Sequence, residues 1–389
     1  MGQVLDRIMQ HADEIRAEGV EGDKLMRLTD TTAKRLRDSG IIRTFQPKEY
    51  GGFEGHPREA AETIMRSVHS TARDGLGRRH RRRSSVGARL LRPQGPGGDL
   101  GRGQRHVDGL AVRTDGCRGA RRRRIHPQRP LVVLVRHRPL RWIMIGAAVG
   151  DKDGNRTGKV LHVVLPRSDY EIDQDSWNVI GLRGTGSKDL IIKDAFIPEH
   201  RTLDADIVLS GNGWRHAGRD ETLYKFPFSY IFPLGITASL IGMTEGALAC
   251  YVAAQKERVQ VSGIPIKEDP YVLFAISEAA AEISASRLAL LETVDRFWDK
   301  TDRGEEISFE ERAIGRRTQI SAAWRAVRAM DEIFARAGGA AVHLKTPMQR
   351  FWRDAHVGLT HAIHVPGLIY HSAALTQLGG DPQSLPRMI

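Results

Sequence analysis

The chain is poor in the residues that build cross-linked or metal-centred scaffolds. Two cysteines, Cys117 and Cys250, stand among 389 residues, too few for a disulfide framework or a cysteine-rich zinc site. No apolar run approaches the ~18 residues of a membrane-spanning helix. The N-terminus has no basic stretch leading into an apolar one, so no secretion signal is expected and the cytoplasm is the expected compartment. A nicotinamide-binding fingerprint is missing too. Gly184-Thr185-Gly186-Ser187 lacks the full glycine spacing and the helix start that would supply N–H donors, and reads as a tight turn between strands.

A further absence is local. Residues 73–141 contain no Lys, Glu, Phe, Tyr, Trp, Asn or Met, and hold 20 Arg against 4 Asp. The other 320 residues carry 39 Lys and Arg against 43 Asp and Glu, so the net charge of +12 resides in this block. Three readings compete. An Arg/Gly-rich arm could bind nucleic acid through phosphates, although such arms interleave aromatics or Lys. A disordered linker is the second, long for the interior of a compact domain. The third is translation out of frame from a GC-rich gene, in which Arg, Gly, Pro, Ala and Leu codons dominate.

The third reading can be examined on paper. Residues 83–93 can be encoded so that the second base opens Val-His-Pro-Trp-Glu-Leu-Ala-Phe-Tyr-Asp-Pro. Residues 131–141 likewise open Trp-Ser-Phe-Ser-Ser-Gly-Thr-Asp-His-Cys, with little beyond third bases left to choose. Two compensating insertions or deletions, near residues 71–75 and just before Trp142, would displace the frame between them.

Outside the block, apolar Val4, Ile8 and Ile15 recur at helical spacing over 4–17, and a second helix runs over 29–39 to a Gly40 stop. A third covers about 57–68. After Trp142 the period changes to strand: 142–149, a turn at 151–155, and 160–165, with shorter strands near 170–177 and 190–197. The Asp151-Lys152-Asp153-Gly154-Asn155 turn lacks the flanking helices and bidentate Glu of a calcium loop. Long amphipathic helices return over 242–260, 270–303 and 308–336, in the manner of a bundle.

Few residues suggest chemistry by themselves. His356, His361 and His364 are spaced so that His361 and His364 share a helix face, yet no Glu of a zinc-protease pattern is near and no metal is expected. Arg258, in a helical stretch, is either a solvated surface residue or a planar cation suited to a phosphate or flavin edge. Gly339 and Ala340 either end a helix or allow close backbone approach to a ligand.

The order of elements and several strings resemble a known family. Residues 29–34, 40–42 and Pro47-Lys48-Glu49-Tyr50-Gly51-Gly52 are similar to the opening of the acyl-CoA dehydrogenase superfamily. Asp175-Ser176-Trp177-Asn178-Val179-Ile180-Gly181-Leu182-Arg183-Gly184-Thr185-Gly186-Ser187, Phe196-Ile197-Pro198 and Gln349-Arg350-Phe351-Trp352-Arg353-Asp354-Ala355-His356 resemble the oxygenase components of two-component flavin-dependent aromatic hydroxylases. The nearest group hydroxylates the phenolic secosteroid of bacterial steroid breakdown. The resemblance covers 1–72 and 142–389. It extends to the two decoded strings, which match a His-Pro-Trp-like helix and a Trp-Ser-Phe-Ser-Ser-Gly-like flavin-contacting strand of that family.

The resemblance implies an α+β, acyl-CoA dehydrogenase-like fold: an N-terminal helical domain (1–115), a small central β domain (116–215) and a C-terminal four-helix bundle (216–389). It implies reduced FMN or FAD delivered by a separate flavin reductase, O2 and an aromatic small molecule as partners, and a homotetramer, with neither nucleic acid nor membrane as partner. Arg258, Gly339, Ala340, His361 and Ala362 fall at the family's flavin contacts. His361 falls where a base or hydrogen-bond partner meets the phenol. A true acyl-CoA dehydrogenase would carry its α-proton-abstracting carboxylate at the place of Ala362, and none is there. The string 363–367, Ile-His-Val-Pro-Gly, departs from the secosteroid enzymes. The alternatives carried forward are an acyl-CoA dehydrogenase-like oxidoreductase and an inactive product of the displaced frame.

Overall fold

A computed structural model describes residues 2–70, 110–114, 123–127, 131–133, 142–151, 155–256, 258–260, 263–380 and 389, the three short segments between 110 and 133 as backbone. The displaced-frame reading of 73–141, its decoded strings and Cys117 therefore lie largely outside the described residues.

The N-terminal region is helical. α1 (Gly2–Met9), α2 (Ala12–Ala17), α3 (Gly19–Lys24) and α4 (Asp30–Ser39) precede α5 (Pro57–Ser70). The single helix expected over 4–17 is broken at 10–11, yet Val4, Ile8 and Ile15 all point into one core. α4 starts where Thr29 Oγ1 accepts from the Thr32 N–H, and stops at Gly40, whose φ of 84° is open to glycine at little steric cost.

Among the described residues the middle holds nine strands: β1 (Leu110–Thr114), β2 (Arg123–Pro127), β3 (Leu131–Val133), β4 (Trp142–Gly150), β5 (Arg156–Pro166), β6 (Glu171–Asp173), β7 (Lys188–Ile191), β8 (Ala195–Ile197) and β9 (Thr202–Asp204). Six form one sheet in the order β8-β2-β1-β4-β5-β9, and β3-β7-β6 form a second. β1, on the N-terminal side of the boundary drawn at 115/116, pairs antiparallel with β2 and parallel with β4. The hairpin of β4 and β5 closes where Asp151 N–H donates to the Asn155 carbonyl at 2.9 Å. The Asp151 carboxylate accepts from Asn155 N–H at 2.8 Å, so it is engaged in holding the turn.

The strand expected over 190–197 is two strands in different sheets, β7 and β8, separated by Asp194 at φ 48°. Between β6 and β7 the chain is a loop, in which Trp177 is buried and donates its Nε1–H to the Leu182 carbonyl at 3.1 Å.

Short helices α6 (Ala205–Leu209), α7 (Gly213–His216) and α8 (Thr222–Lys225) lead to the bundle of α9 (Phe228–Lys256), α10 (Pro270–Asp302), α11 (Phe309–Ala335), α12 (Pro347–Leu359) and α13 (Gly367–Gln377). Asp269 caps α10 and a Ser308/Glu311 capping box opens α11. The expectation of no membrane-length apolar stretch needs correction: α9 is long and apolar enough, by length and composition, to cross one. Its apolar surface is spent inside the bundle. Tyr230, Leu234, Ala238, Ile241 and Tyr251 are core residues packed among side chains of α5, α10 and α11.

Candidate flavin and substrate site

The two strings that carry the resemblance meet in space. Leu182 N–H donates to Asp354 Oδ1 at 2.6 Å, Arg353 reaches the Ile180 carbonyl and the Asp23 carboxylate (3.2 Å), and Arg183 Nε donates to the Asp23 carbonyl at 3.0 Å. A Cβ on Gly181 would lie 2.4 Å from the Arg353 carbonyl oxygen, so the backbones touch in a way only glycine permits. The Arg183-Gly184-Thr185-Gly186 turn thus joins the β domain to α3 and α12. Gly186, at φ 63°, packs on Arg27. Burial pushes the Asp354 carboxyl up to about 6, with the Leu182 N–H pulling the other way.

His361 lies beyond α12, which ends at Leu359. The helix shared with His364 does not exist: residues Ala362–His364 form a 3-10 turn with His361 as its N-cap, and Pro366 starts the exit to α13. The two rings differ in burial and partners. His361 is half-buried, and its Nδ1 accepts from the Ile363 N–H at 3.3 Å. Ala362 is exposed beside it.

His364 is fully buried, with Nδ1 3.1 Å from the Gly358 carbonyl and Nε2 3.0 Å from Thr237 Oγ1. Burial first, then the nearby Arg316 and His361, hold its pKa down at about 4 against the Gly358 bond, so it is neutral at ordinary pH.

The floor under this turn is polar and buried. Arg316 on α11 is 1% exposed and donates Nη2–H to the Ile363 carbonyl at 2.8 Å and Nη1–H to Gln319 Oε1. Trp324 Nε1–H donates to the His364 carbonyl at 2.9 Å. Burial lowers the Arg316 pKa to about 10, still far above neutrality. Beside the turn, an apolar cleft of about 440 Å³ runs between α11 and α12, with Trp324, Leu359, Val365 and Pro366 in its walls and His356 paired to Asp331 at 3.2 Å on its edge.

Arg258 is not helical, because α9 ends at Lys256; it is exposed, with Nη1 3.4 Å from the Ala337 carbonyl and its guanidinium over Gly338. Gly339 and Ala340 follow in the 3-10 turn Gly339–Val342, both exposed, and nothing lies within 4 Å of a Cβ placed on Gly339. A planar cation beside open backbone suits a phosphate or a flavin edge. The expected cofactor residues therefore form two groups. Arg258, Gly339 and Ala340 are brought together at one end of α11, and His361 and Ala362 at the other. At a rise of ~1.5 Å per residue, the groups are separated by roughly 20–30 Å along α9 and α11, more than a three-ring flavin head spans. No cluster of three or more His, Cys, Asp or Glu side chains with metal-ligand geometry occurs among the described residues.

Arg316, Thr237 and Asp354 were not among the residues singled out by sequence. Arg316 sits at the 3/4 spacing Ala313, Arg316, Ile320, Ala323 on an otherwise apolar stripe, a signal hidden by the neighbouring surface arginines Arg312 and Arg317.

Helical, β and bundle regions in this order, joined at the Gly181–Arg353 contact, define an acyl-CoA dehydrogenase-like flavoprotein. Residues 234–366 match the C-terminal domain of the acyl-CoA dehydrogenases. The chain is 45% identical, over 98% of both chains, to a pigment production hydroxylase of Rhodococcus erythropolis. It is 31% identical, over 92% of this chain and 93% of the other, to the oxygenase subunit HsaA of a flavin-dependent monooxygenase from Rhodococcus jostii. The crystal structure of the HsaA monooxygenase of M. tuberculosis superposes with a TM-score of 0.80 at 28% identity, covering 100% of this chain and 99% of that one. The chain belongs to the family of oxygenase components of flavin-dependent monooxygenases.

Proposed function

We propose that this chain is the oxygenase component of a two-component system that hydroxylates a phenolic substrate, with reduced FMN or FAD and O2, and that a separate flavin reductase supplies the reduced flavin. Bound flavin would supply the activation of oxygen. Support comes from the relatives' names, from the absence of a carboxylate at Ala362, and from a missing nicotinamide fingerprint. The apolar cleft beside the His361 turn has the size and lining of a small-aromatic site.

The observation that carries the reading is the His361 ring itself. With Nδ1 accepting from the Ile363 N–H, the neutral imidazole keeps its proton on Nε2. Of the two roles expected from sequence, base or hydrogen-bond partner, this tautomer favours the partner: the phenol loses its proton to solvent, and Nε2–H donates to the resulting phenolate oxygen and stabilises it, which keeps the ortho carbon nucleophilic. Arg258, with Gly339 and Ala340, would hold the flavin's phosphate end. Because these stand far from His361 in one chain, the complete site takes Arg258 from one copy and His361 from another. That division supports a homo-oligomer, in the tetrameric form expected from sequence. The secosteroid-type substrate belongs to the same reading, as does the cytoplasmic placement, for which α9 spends its apolar surface inside the bundle.

The test is His361→Ala supplied with reduced flavin and a panel of phenols. Oxygen uptake should persist while hydrogen peroxide replaces hydroxylated product. Full hydroxylation in this variant would remove His361 from the reaction.

A further inference from the structure

Arg316 is a guanidinium buried without a carboxylate partner among the described residues. Its Nη1 and Nη2 donate to Gln319 Oε1 and the Ile363 carbonyl, and its Nε has no acceptor. Gln319 passes the chain of bonds on through Nε2–H to the Tyr230 carbonyl at 3.3 Å on α9. Burying a cation in this way is expensive, and an apolar side chain of similar volume would fill the space at lower cost. What a methionine or leucine could not do is grip two acceptors at fixed angles with one planar fork.

The acceptor it grips is telling. Ile363 receives Arg316 at its carbonyl and gives its own N–H to His361 Nδ1. One residue of backbone therefore stands between the buried cation and the half-buried His361 ring. We infer that Arg316 is a positioning residue: by clamping Ile363 it fixes the orientation and tautomer of His361, keeping Nε2–H aimed outward from the turn. Trp324, bonded to the His364 carbonyl, and His364, bonded to Gly358 and Thr237, brace the same turn from α11, α12 and α9. The inference rests on the proposed role of His361 for its catalytic meaning, but the clamp can be read without it.

The experiment uses the full-length chain as wild type, Arg316→Met and Arg316→Lys. The first readout is carbethoxylation of His361 by diethyl pyrocarbonate, followed by peptide mass spectrometry and normalised to the exposed His200. Wild type and variants are compared at one and the same pH. Arg316→Met should retain or raise the thermal midpoint, since a costly buried charge is gone, while His361 reacts about threefold faster or more because its turn opens locally. Arg316→Lys, with its charge but no fork, should show the same acceleration. An unchanged His361 rate in either folded variant overturns the inference. If the methionine variant fails to fold, the lysine variant decides alone.

The second readout is hydroxylated product formed per O2 consumed. In Arg316→Met it should fall roughly tenfold to a hundredfold through kcat, with KM little changed, as expected for a ring displaced by an ångström. The loss should not add to that of His361→Ala in the double variant. Additive losses would show Arg316 acting elsewhere and overturn the inference. A His361→Ala chain that stays fully coupled would sink the catalytic reading alone and leave the modification result standing.

Discussion

Leu182 and Asp354, 172 residues apart in sequence, are joined by a backbone N–H to carboxylate bond of 2.6 Å at the junction of the β domain and the bundle. Burial raises the folded pKa of Asp354 to about 6 from an ordinary 3.8. The cost of ionising it in place is absent below pH 3.8 and grows as pH rises to about 6. Asp354→Asn, which keeps an acceptor for Leu182, should gain stability over wild type across that window, by at most ~3 kcal/mol at pH 7. Urea unfolding at pH 4 and pH 7 would check it, and an equal difference at both values would contradict it.

His364 acts with the opposite sign. Its pKa falls from 6.5 to about 4 on folding, so its contribution is complete above pH 6.5 and is lost as pH falls toward 4. In wild type the two groups offset each other between pH 4 and 6. Asp354→Asn should therefore uncover a steeper acid loss, which His364→Gln added to it should flatten. Midpoints of thermal unfolding against pH would show whether that slope is present.

Gly181→Ala tests the same junction by shape. The new methyl would meet the Arg353 backbone at 2.4 Å, and backbone cannot swing aside as a side chain can. A loss of about 2–4 kcal/mol is expected, read by chemical denaturation. A neutral substitution would mean that the two strings do not touch as described.

The proposed division of the site between copies can be tested by complementation. Arg258→Ala and His361→Ala chains, each unable to hydroxylate alone, should regain hydroxylation when unfolded together and refolded as a mixture. Random pairing of two-fold-related copies leaves about a quarter of the sites with both residues intact. No recovery would place Arg258 and His361 in the same chain's site, or remove one of them from it.

The displaced-frame reading predicts that the gene shows two compensating indels across codons 65–145, found by comparison with the gene of the 45% identical relative. That relative aligns over 98% of both chains, as it would if the displacements cancel in length. The chain as written should bind reduced flavin at least about tenfold more weakly than a frame-restored version, by titration, because an Arg/Gly-rich stretch without aromatics fills a core poorly. An unbroken frame in the gene would remove this explanation of the arginine block.

Much of the architecture was legible because long amphipathic periods and caps are local signals. Gly40 marks a helix end that the structure keeps, and the helix starts read at 270 and 308 fall where Asp269 and the Ser308/Glu311 box cap α10 and α11. The helix expected to carry both His361 and His364 failed because its end is set by tertiary bonds: Trp324 and Arg316 take the carbonyls of His364 and Ile363, so those groups need no helical partner. β7 and β8 read as one strand because nothing in three intervening residues except Asp194's left-handed φ announces a change of sheet. Arg258 and Gly339 were legible together only through resemblance, since the bond that brings them near, from Arg258 to the Ala337 carbonyl 79 positions on, leaves no periodic trace.

Thr237 has one hydroxyl proton and two claimants for it, the Pro233 carbonyl at 3.2 Å and His364 Nε2 at 3.0 Å. While the imidazole is neutral with Nδ1–H on Gly358, the proton must go to Nε2, and Pro233 does without. When acid charges the ring, Nε2 becomes a donor and the hydroxyl turns to Pro233. A single rotor inside α9 would then register the ionisation of a ring that belongs to the Ala362–His364 turn, without any helix having to move.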